Sequence, residues 1–457
     1  MSMGTGRWGR SSRSRVVAGG TGVLICAALV VGGPPTTSQA ATGPTTTRVS
    51  ITSAEQERFK DSYAPQISKS GRWVAFESRA KLVPNDTNGF PDIYLRDRRT
   101  GKTSLVSVAT DGGPSVGSSV NPSMTPDGRY IAFETFADDV APGDHNGNED
   151  IVVRDMVTGT TELVSLTSDE SQTVGFNQGS TTPSISEDGR YVAFLSVATD
   201  FAPGDSADTA DFFVRDRQAG TTDIVSLTST GGFSQGGDTF GPASISADGR
   251  YVAFYSRATN LVPHDTNDTT DVFVRDRLLK TTVRASVGPG GVQANGGSGQ
   301  PALSANGKFL AFQSGATNLL DSPADSSLSD IYVRDLAAGT NELASATTTG
   351  TGAGSCAFPA MSHSGRFVVF ESSASTLVPS DTNLGSDVFV RDVVSDTTRR
   401  VSVSTGGAEG NGSSGGRSVS AISSNGQHVA FDSGASNLVP NDKNGVLDVF
   451  VRRNWAS

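Results

Sequence analysis

Short apolar runs alternate along most of the chain with turn-rich stretches of Gly, Ser, Thr, Asp and Asn, and no long A/E/K/L/R-rich stretch interrupts them. The segment 243–287 shows the pattern clearly. Four strands read out of it: A at Ala243–Ser246, B at Tyr251–Ser256, C at Asp271–Arg275 and D at Thr282–Val287, with the turn Ala247-Asp248-Gly249 between A and B. Val252, Ala253 and Phe254 in B, and Val272, Phe273 and Val274 in C, are apolar on both alternations. A strand of that kind has to be covered on both faces.

The same unit recurs seven times. The glycine of G-R-Y-V-A-F and its variants stands at Gly71, Gly128, Gly189, Gly249, Gly307, Gly365 and Gly426, at spacings of 57, 61, 60, 58, 58 and 61 residues. Repeats that cannot bury both sheet faces alone must stack on their neighbours. The fold class expected is all-β, a seven-bladed β-propeller of four-stranded antiparallel blades. A linear solenoid, separate sandwiches and a six-bladed ring with a stray repeat are the alternatives. The chain ends favour closure: the seventh copy has strands B and C (His428–Ser433, Asp448–Arg452) and stops at Ser457 without a D, while Thr46–Ile51 resembles the D strand Thr397–Val403. The N-terminal strand is therefore expected to complete the last blade, which removes two open sheet edges.

The motifs S-x-D-G-R-Y-V-A-F-x-S and D-V-F-V-R-D, as in Ser246–Ser256 and Asp271–Asp276, resemble the TolB-like, WD40-like propeller repeats of bacterial envelope proteins. The resemblance covers residues 46–452 and implies the fold; blades of this kind serve scaffolds, binding proteins and enzyme accessory domains alike. Seven copies and acidic loops depart from the usual six-bladed TolB propeller, and no separate N-terminal domain of the TolB kind is visible.

Residues 1–40 read as a cleaved signal peptide, leaving a single propeller domain at 41–457. Arg7, Arg10, Arg13 and Arg15 form a basic start, Val23–Val31 is apolar, and Ser38-Gln39-Ala40 offers small residues for cleavage. The apolar run is short for a membrane span. Secretion, or a periplasmic or cell-envelope location, follows. Cleavage removes four of the 36 Lys and Arg and no acid, so the net charge goes from −11 to −15. Such a chain should repel nucleic acid and favour cations. Only Cys356 of the two cysteines remains, so no internal disulfide forms and a monomer held by packing is expected.

An antiparallel meander sends the tight A–B and C–D turns to one face and the long B–C and D–A loops to the other. The B–C loops are acidic and carry D-x-N-x-x-x-D in five copies: Asp86, Asn88, Asp92; Asp144, Asn146, Asp150; Asp265, Asn267, Asp271; Asp381, Asn383, Asp387; and Asp442, Asn444, Asp448. The third copy has Ala207 between Asp205 and Asp211; the fifth, around Asp321, Asp325 and Asp330, lacks the Asn. Oxygens at alternate positions on a turning chain suit calcium. Asp and Asn also close tight turns on their own backbone, so calcium ligation and turn architecture both stand as readings. The strand-C arginines, from Arg96 to Arg452, read as repeated Arg–Asp pairing rather than as anion ligands.

No catalytic or cofactor residues are assigned. The G-x-S-x-G matches at Gly113–Gly117, Gly232–Gly236 and Gly412–Gly416 fall in corresponding D–A loops, not at a strand-to-helix turn. His145, His264, His363 and His428 are scattered, and Phe176, Phe233, Phe240 and Phe358 read as plugs between blades, with a ligand rim as the alternative. The functional expectation is a non-enzymatic exported scaffold that binds a protein or glycan partner on the acidic long-loop face, with calcium stabilisation of that face as one of the two readings of its loops. A hydrolase or lyase working at the central channel is the alternative.

Overall fold

The computed structural model describes residues 43–175, 178–205, 209–237, 239–321, 328–416 and 419–453. The expected leader, Phe176, Ala207 and Asp325 lie outside them. Seven four-stranded antiparallel sheets form the blades. Blade 4, for example, is Thr239–Ile245, Tyr251–Ser256, Asp271–Asp276 and Thr281–Arg284. In blade 7, Ala421–Ile422, His428–Ser433 and Asp448–Arg453 are completed by Thr45–Arg48 from the other end of the chain. Thr46 faces Arg452 and Arg48 faces Phe450 in that pairing. The A strands of successive blades touch one another around the axis, the seventh against the first, so the ring is closed. Among the described residues the one helical element is a 3-10 turn at Pro289–Gly291.

Strand D ends earlier than the sequence suggests, at Arg284 rather than Val287. The side chain of the next serine takes over from the ladder: Ser286 Oγ accepts the Val272 N–H (3.1 Å) and donates to Asp271 Oδ1 (2.5 Å). The same clasp recurs as Ser107 on Asp92 at 2.6 Å and Ser345 on Asp330 at 2.7 Å. At the seam it is made by Ser50, which donates to Asp448 at 2.5 Å and accepts the Val449 N–H at 3.0 Å. The N-terminal segment thus supplies both the ladder and the clasp of blade 7.

Strands B and C are buried almost throughout, and their paired rings, such as Phe254 with Phe273 and Phe431 with Phe450, fill the space between sheets. Each such ring contributes about 1.5–3 kcal/mol when removed from water, but only where a neighbouring blade covers it. A second device fixes the neighbour. The first residue of strand B lays its ring on the turn glycine of the next blade: Trp73 on Gly128, Tyr130 on Gly189, Tyr191 on Gly249, Tyr251 on Gly307, Phe309 on Gly365 and Phe367 on Gly426. Those glycines have φ of +65° to +80°, and a Cβ on any of them would fall within 2.7 Å of the ring. The turn arginine then covers its own ring, as Arg129 does Tyr130 at 4.7 Å, and forks onto the last Asp of strand C, here Asp155. That bond holds the Asp155 carboxyl down at about 2.

The adjacent Arg and Asp at the end of strand C do not pair with each other. Asp276 takes the turn residue Arg250, whereas Arg275 Nη1 reaches Thr282 Oγ1 (3.0 Å) in its own blade and the Thr228 carbonyl (3.1 Å) of the blade before. Arg452 does the same across the seam, on Thr46 Oγ1 (3.0 Å) and the Ser404 carbonyl (2.8 Å). These positions serve the blade, as their uniform recurrence implies, with hydroxyl and carbonyl partners and, for Arg96, Arg215 and Arg391, with the carboxylates of Glu55, Glu170 and Asp396.

Two glycine substitutions separate the backbone contribution from the joint. Gly89 (φ +77°) has open space where a Cβ would go, whereas at Gly128 (φ +76°) that atom would meet Trp73. Gly89→Ala should cost about 1 kcal/mol and Gly128→Ala about 3 kcal/mol or more, through backbone strain plus overpacking. Urea midpoints measure both; equal losses would mean that the ring–glycine joint contributes nothing.

Candidate functional site

The B–C loops lie on the long-loop face as expected, and their three motif positions do different work. The Asn side chain closes an Asx-turn, its Oδ1 accepting the N–H two residues on, as in Asn88 with Phe90 (2.9 Å) and Asn383 with Gly385 (2.8 Å). Its amide ties the loop to a D–A carbonyl: Ser115 for Asn88, Ala294 for Asn267, Gly410 for Asn383 and Arg58 for Asn444. The last Asp spends Oδ1 on the serine clasp. The first Asp converges with the last, and in three blades an arginine from the end of strand D fills the gap between them. Arg48 Nη1 is 3.0 Å from both Asp442 and Asp448. Arg400 Nη1 lies 3.3 Å from Asp381 and 3.2 Å from Asp387 and also bonds Glu409. Arg284 stands 3.6 Å from Asp265 and 3.5 Å from Asp271, with Gln293 bridging the same two acids at 2.8 and 3.0 Å. Blades 1 and 2 have buried Leu105 and Leu163 at that strand position.

The inner A strands enclose a cavity of about 400 Å³. Each A strand of blades 1–6 is interrupted by a bulge at a positive-φ residue followed by proline: Ala64, Asn121, Thr182, Gly241, Gln300 and Phe358. The lining mixes polar side chains with the prolines, Leu303, Phe358 and Met361, and the residue at the bulge differs in each of these blades.

Behind it runs a feature that the sequence reading did not single out. The fifth residue of strand B is Glu371 in blade 6, Asp432 in blade 7, Glu77 in blade 1 and Glu134 in blade 2, and Leu195, Tyr255 and Gln313 in blades 3, 4 and 5. All four acids are buried. Each of two glutamates accepts from the next blade: Glu134 takes the Thr182 N–H at 3.0 Å, besides the Asn121 amide of its own blade at 3.1 Å, and Glu371 takes the Gly416 N–H and, at 3.4 Å, the Ser420 hydroxyl. Burial pushes Glu77 up to about 7 and Glu371 up to about 9, in the second case with Asp432 adding repulsion. Glu149, from the blade 2 loop, is raised to about 9 by burial and by its hydrogen bond to Glu134. The signal available in the sequence was a charged residue inside an otherwise apolar strand: F-E-S, F-E-T and F-D-S.

Two clefts open on the same face. One, of about 350 Å³, is lined by Phe136, Glu149, Leu195 and Val197 between blades 2 and 3. The other, of about 550 Å³, is lined by Arg58, Phe59, Arg79 and Phe90 at blade 1. Phe59, Phe90 and Phe136 are 72%, 44% and 55% exposed, unusual for phenylalanine.

The remaining candidates resolve into structure. Ser115 Oγ donates to the Gly117 carbonyl, Ser234 Oγ to Asp211, and Ser414 pairs with Ser433, so the three G-x-S-x-G serines hold loops. Phe233 packs into the core between blades 2 and 3, Phe240 stacks on Tyr255, and Phe358 lines the channel instead of plugging a blade joint. His145 and His264 stand in B–C loops, and His363 lies 3.5 Å from Glu187. His428 takes the place of the aromatic ring on Gly71 at the seam, where burial, Arg98 and Arg453 lower it to about 4.

No family model and no curated protein matches the chain. Solved structures do. Oligogalacturonate lyase from Vibrio parahaemolyticus aligns over 86% of this chain and 90% of its own, with a TM-score of 0.52 at 13% identity. An oligogalacturonate lyase in complex with manganese gives the same coverage and TM-score at 12% identity. TolB from Acinetobacter baumannii aligns over 74% of this chain and 62% of its own, with a TM-score of 0.40 at 16% identity. At such identities the likeness is one of propeller fold.

The strand-B acids set a pH dependence. Glu77 and Glu371 titrate higher folded than unfolded, so their protonated forms favour the fold. That contribution is complete below the ordinary carboxylate range and is lost as pH rises through about 7 and about 9. Glu371→Gln should therefore gain on the wild type by at least about 1 kcal/mol between pH 5 and pH 9, read as urea unfolding free energies at both. A difference independent of pH would show that Glu371 is not held protonated.

Proposed function

We propose that the protein is a non-enzymatic, exported binding scaffold whose long-loop face over blades 1–3 takes a protein or glycan partner. The observation that carries this is the set of exposed phenylalanines, Phe59, Phe90 and Phe136, each in a cleft rather than scattered, with Val116, Val174 and Val197 exposed on neighbouring loops of blades 1–3. Exposed apolar surface rimmed by charge marks interaction sites in soluble proteins, and flat rings beside carboxylates suit both sugar faces and extended peptides. The rigid ring supports the reading, since loops on a fixed frame meet a partner without an ordering cost. For location, the basic-then-apolar start of the chain supports export. No helix among the described residues is long and apolar enough to cross a membrane.

One observation favours a second reading, an enzyme. Glu134 and Glu149 form a carboxyl pair next to the Phe136 cleft, with Glu149 raised to about 9. A pair in which one member stays protonated is a general acid beside a potential base.

Immobilised protein should retain cell-wall polysaccharide or envelope protein, and Phe90→Ser with Phe136→Ser should cut that retention at least tenfold with melting temperature unchanged. Retention equal in the double variant would remove the proposed face. Turnover of an oligosaccharide by the wild type that Glu149→Gln abolishes would replace the scaffold reading with the enzyme.

A further inference from the structure

The acidic B–C loops are not equivalent, and the repeat itself supplies the comparison. In blades 4, 6 and 7 the last Asp of the motif uses Oδ1 for the serine clasp and turns Oδ2 into the loop. There Asp271 Oδ2 accepts from Asn267 (3.2 Å), Asp387 Oδ2 from Asn383 (3.0 Å) and Asp448 Oδ2 from Asn444 (2.8 Å). The guanidinium at the end of strand D faces the same oxygen. A positive group between the first and last Asp is thus part of the loop's design in three blades. In blade 6 the oxygens of Asp381, Asp387 and Glu409 come within 4.8 Å of one another around that charge. Two Ca–O bonds of about 2.4 Å span such a gap.

Blades 1 and 2 keep the acids and lack the arginine. Asp92 is fully buried and Asp150 is 1% exposed; Asp86 and Asp144 are 5% and 2% exposed. Ser107 and Ser165 hold Oδ1 of Asp92 and Asp150 at 2.6 and 2.5 Å. Their Oδ2 atoms, the ones that meet arginine elsewhere, are buried without a hydrogen-bond partner. A carboxylate oxygen left so in the interior costs about 1–3 kcal/mol or more, and a paired cation removes that cost. The first acids are braced but not neutralised: Tyr94 donates to Asp86 (2.5 Å) and Gln172 to Asp144 (2.9 Å). In blade 2, Asp138 and Asp139 line the same cleft as Asp144.

We propose that the B–C loops of blades 1 and 2 each bind a divalent cation, of the calcium type by their all-oxygen donors, at the position that arginine occupies in blades 4, 6 and 7. In blade 1 the ligands are Asp86 and Asp92, in blade 2 Asp144 and Asp150, with loop carbonyls and water completing each shell. Among the five loops with the full acid motif, the residue at the end of strand D decides which take metal: Leu105 and Leu163 leave room for it, and Arg284, Arg400 and Arg48 exclude it. The site stands whether or not the long-loop face binds a partner. It does adjoin both clefts, since Phe90 lies within the first loop and Glu149 within the second.

Isothermal titration of chelator-stripped protein with calcium chloride tests this, with thermal melting in calcium and in chelator alongside. Two sites per chain and a melting temperature raised by several degrees at millimolar calcium are expected. Leu105→Arg with Leu163→Arg supplies the built-in cation and should abolish both responses while leaving the chelator-state melting temperature equal to or above that of the wild type. Asp92→Asn with Asp150→Asn, which keeps an oxygen for each serine clasp, should abolish calcium binding as well, and covers the case where the arginines do not fit. Absence of heat and of any shift at millimolar calcium overturns the proposal. So does calcium binding that survives the Asp→Asn pair, or a count of five sites, which would place metal in the arginine-filled loops too.

Discussion

Each blade has an apolar sheet with two faces to cover, and no blade can cover both by itself. That constraint fixes nearly everything else. It forces neighbours on both sides, and the ring–glycine contact sets how one blade sits on the next. The turn glycine is needed twice over, for its positive φ and because the preceding blade's ring lies where a Cβ would stand. At the seam the pattern loosens: His428 replaces the aromatic, Gln427 the turn arginine, and Arg453 the aspartate that would pair with it. Closure there leans instead on the N-terminal strand, with its ladder, its Ser50 clasp and Arg48 between two aspartates.

On this frame, variation is concentrated where it does not disturb the joints. The serine clasp on the first residue of strand C repeats in every blade, and the strand-C arginine bonds the preceding blade in blades 1, 3, 4, 5 and 7. The end of strand D alternates between arginine and leucine or isoleucine, the fifth residue of strand B between acid and neutral, and the bulge on strand A takes a different residue in each of the first six blades. The acids of strand B fall on four successive blades, 6, 7, 1 and 2, so one arc of the layer behind the channel carries buried carboxyl groups and the other does not. A ring of near-identical parts acquires a distinct side in this way.

The fold was legible because the repeat displays the strand pattern seven times, and the truncated last copy with its missing strand at the front announced the closure. Strand B and most of strand C could be placed to the residue. Strand A and strand D could not: a bulge with proline hides the first, and a serine side chain substitutes for the ladder at the end of the second. The acidic loops were legible as a pattern but not as chemistry. Whether Asp387 and Asp92 face the same partner depends on Arg400 and Leu105, which lie in another strand and become neighbours of the loop only in three dimensions. Similarly, Glu371 stands in one dimension as a lone acid in a strand otherwise apolar on both alternations, and only the next blade's Gly416 and Ser420 show what receives it.

The borrowed strand also orders events in time. Arg48 and Asp448 are 400 positions apart, so the first part of the domain to leave the ribosome is among the last to find its mate. Six blades can assemble in sequence as they emerge, each templating the next, while the opening segment waits unpaired. Such distant pairing is slow to form, and the half-finished ring has an exposed edge at each end throughout the delay. The molecule is most vulnerable to wrong partners just before completion, and the final zippering converts a string of leaning sheets into a single cooperative body.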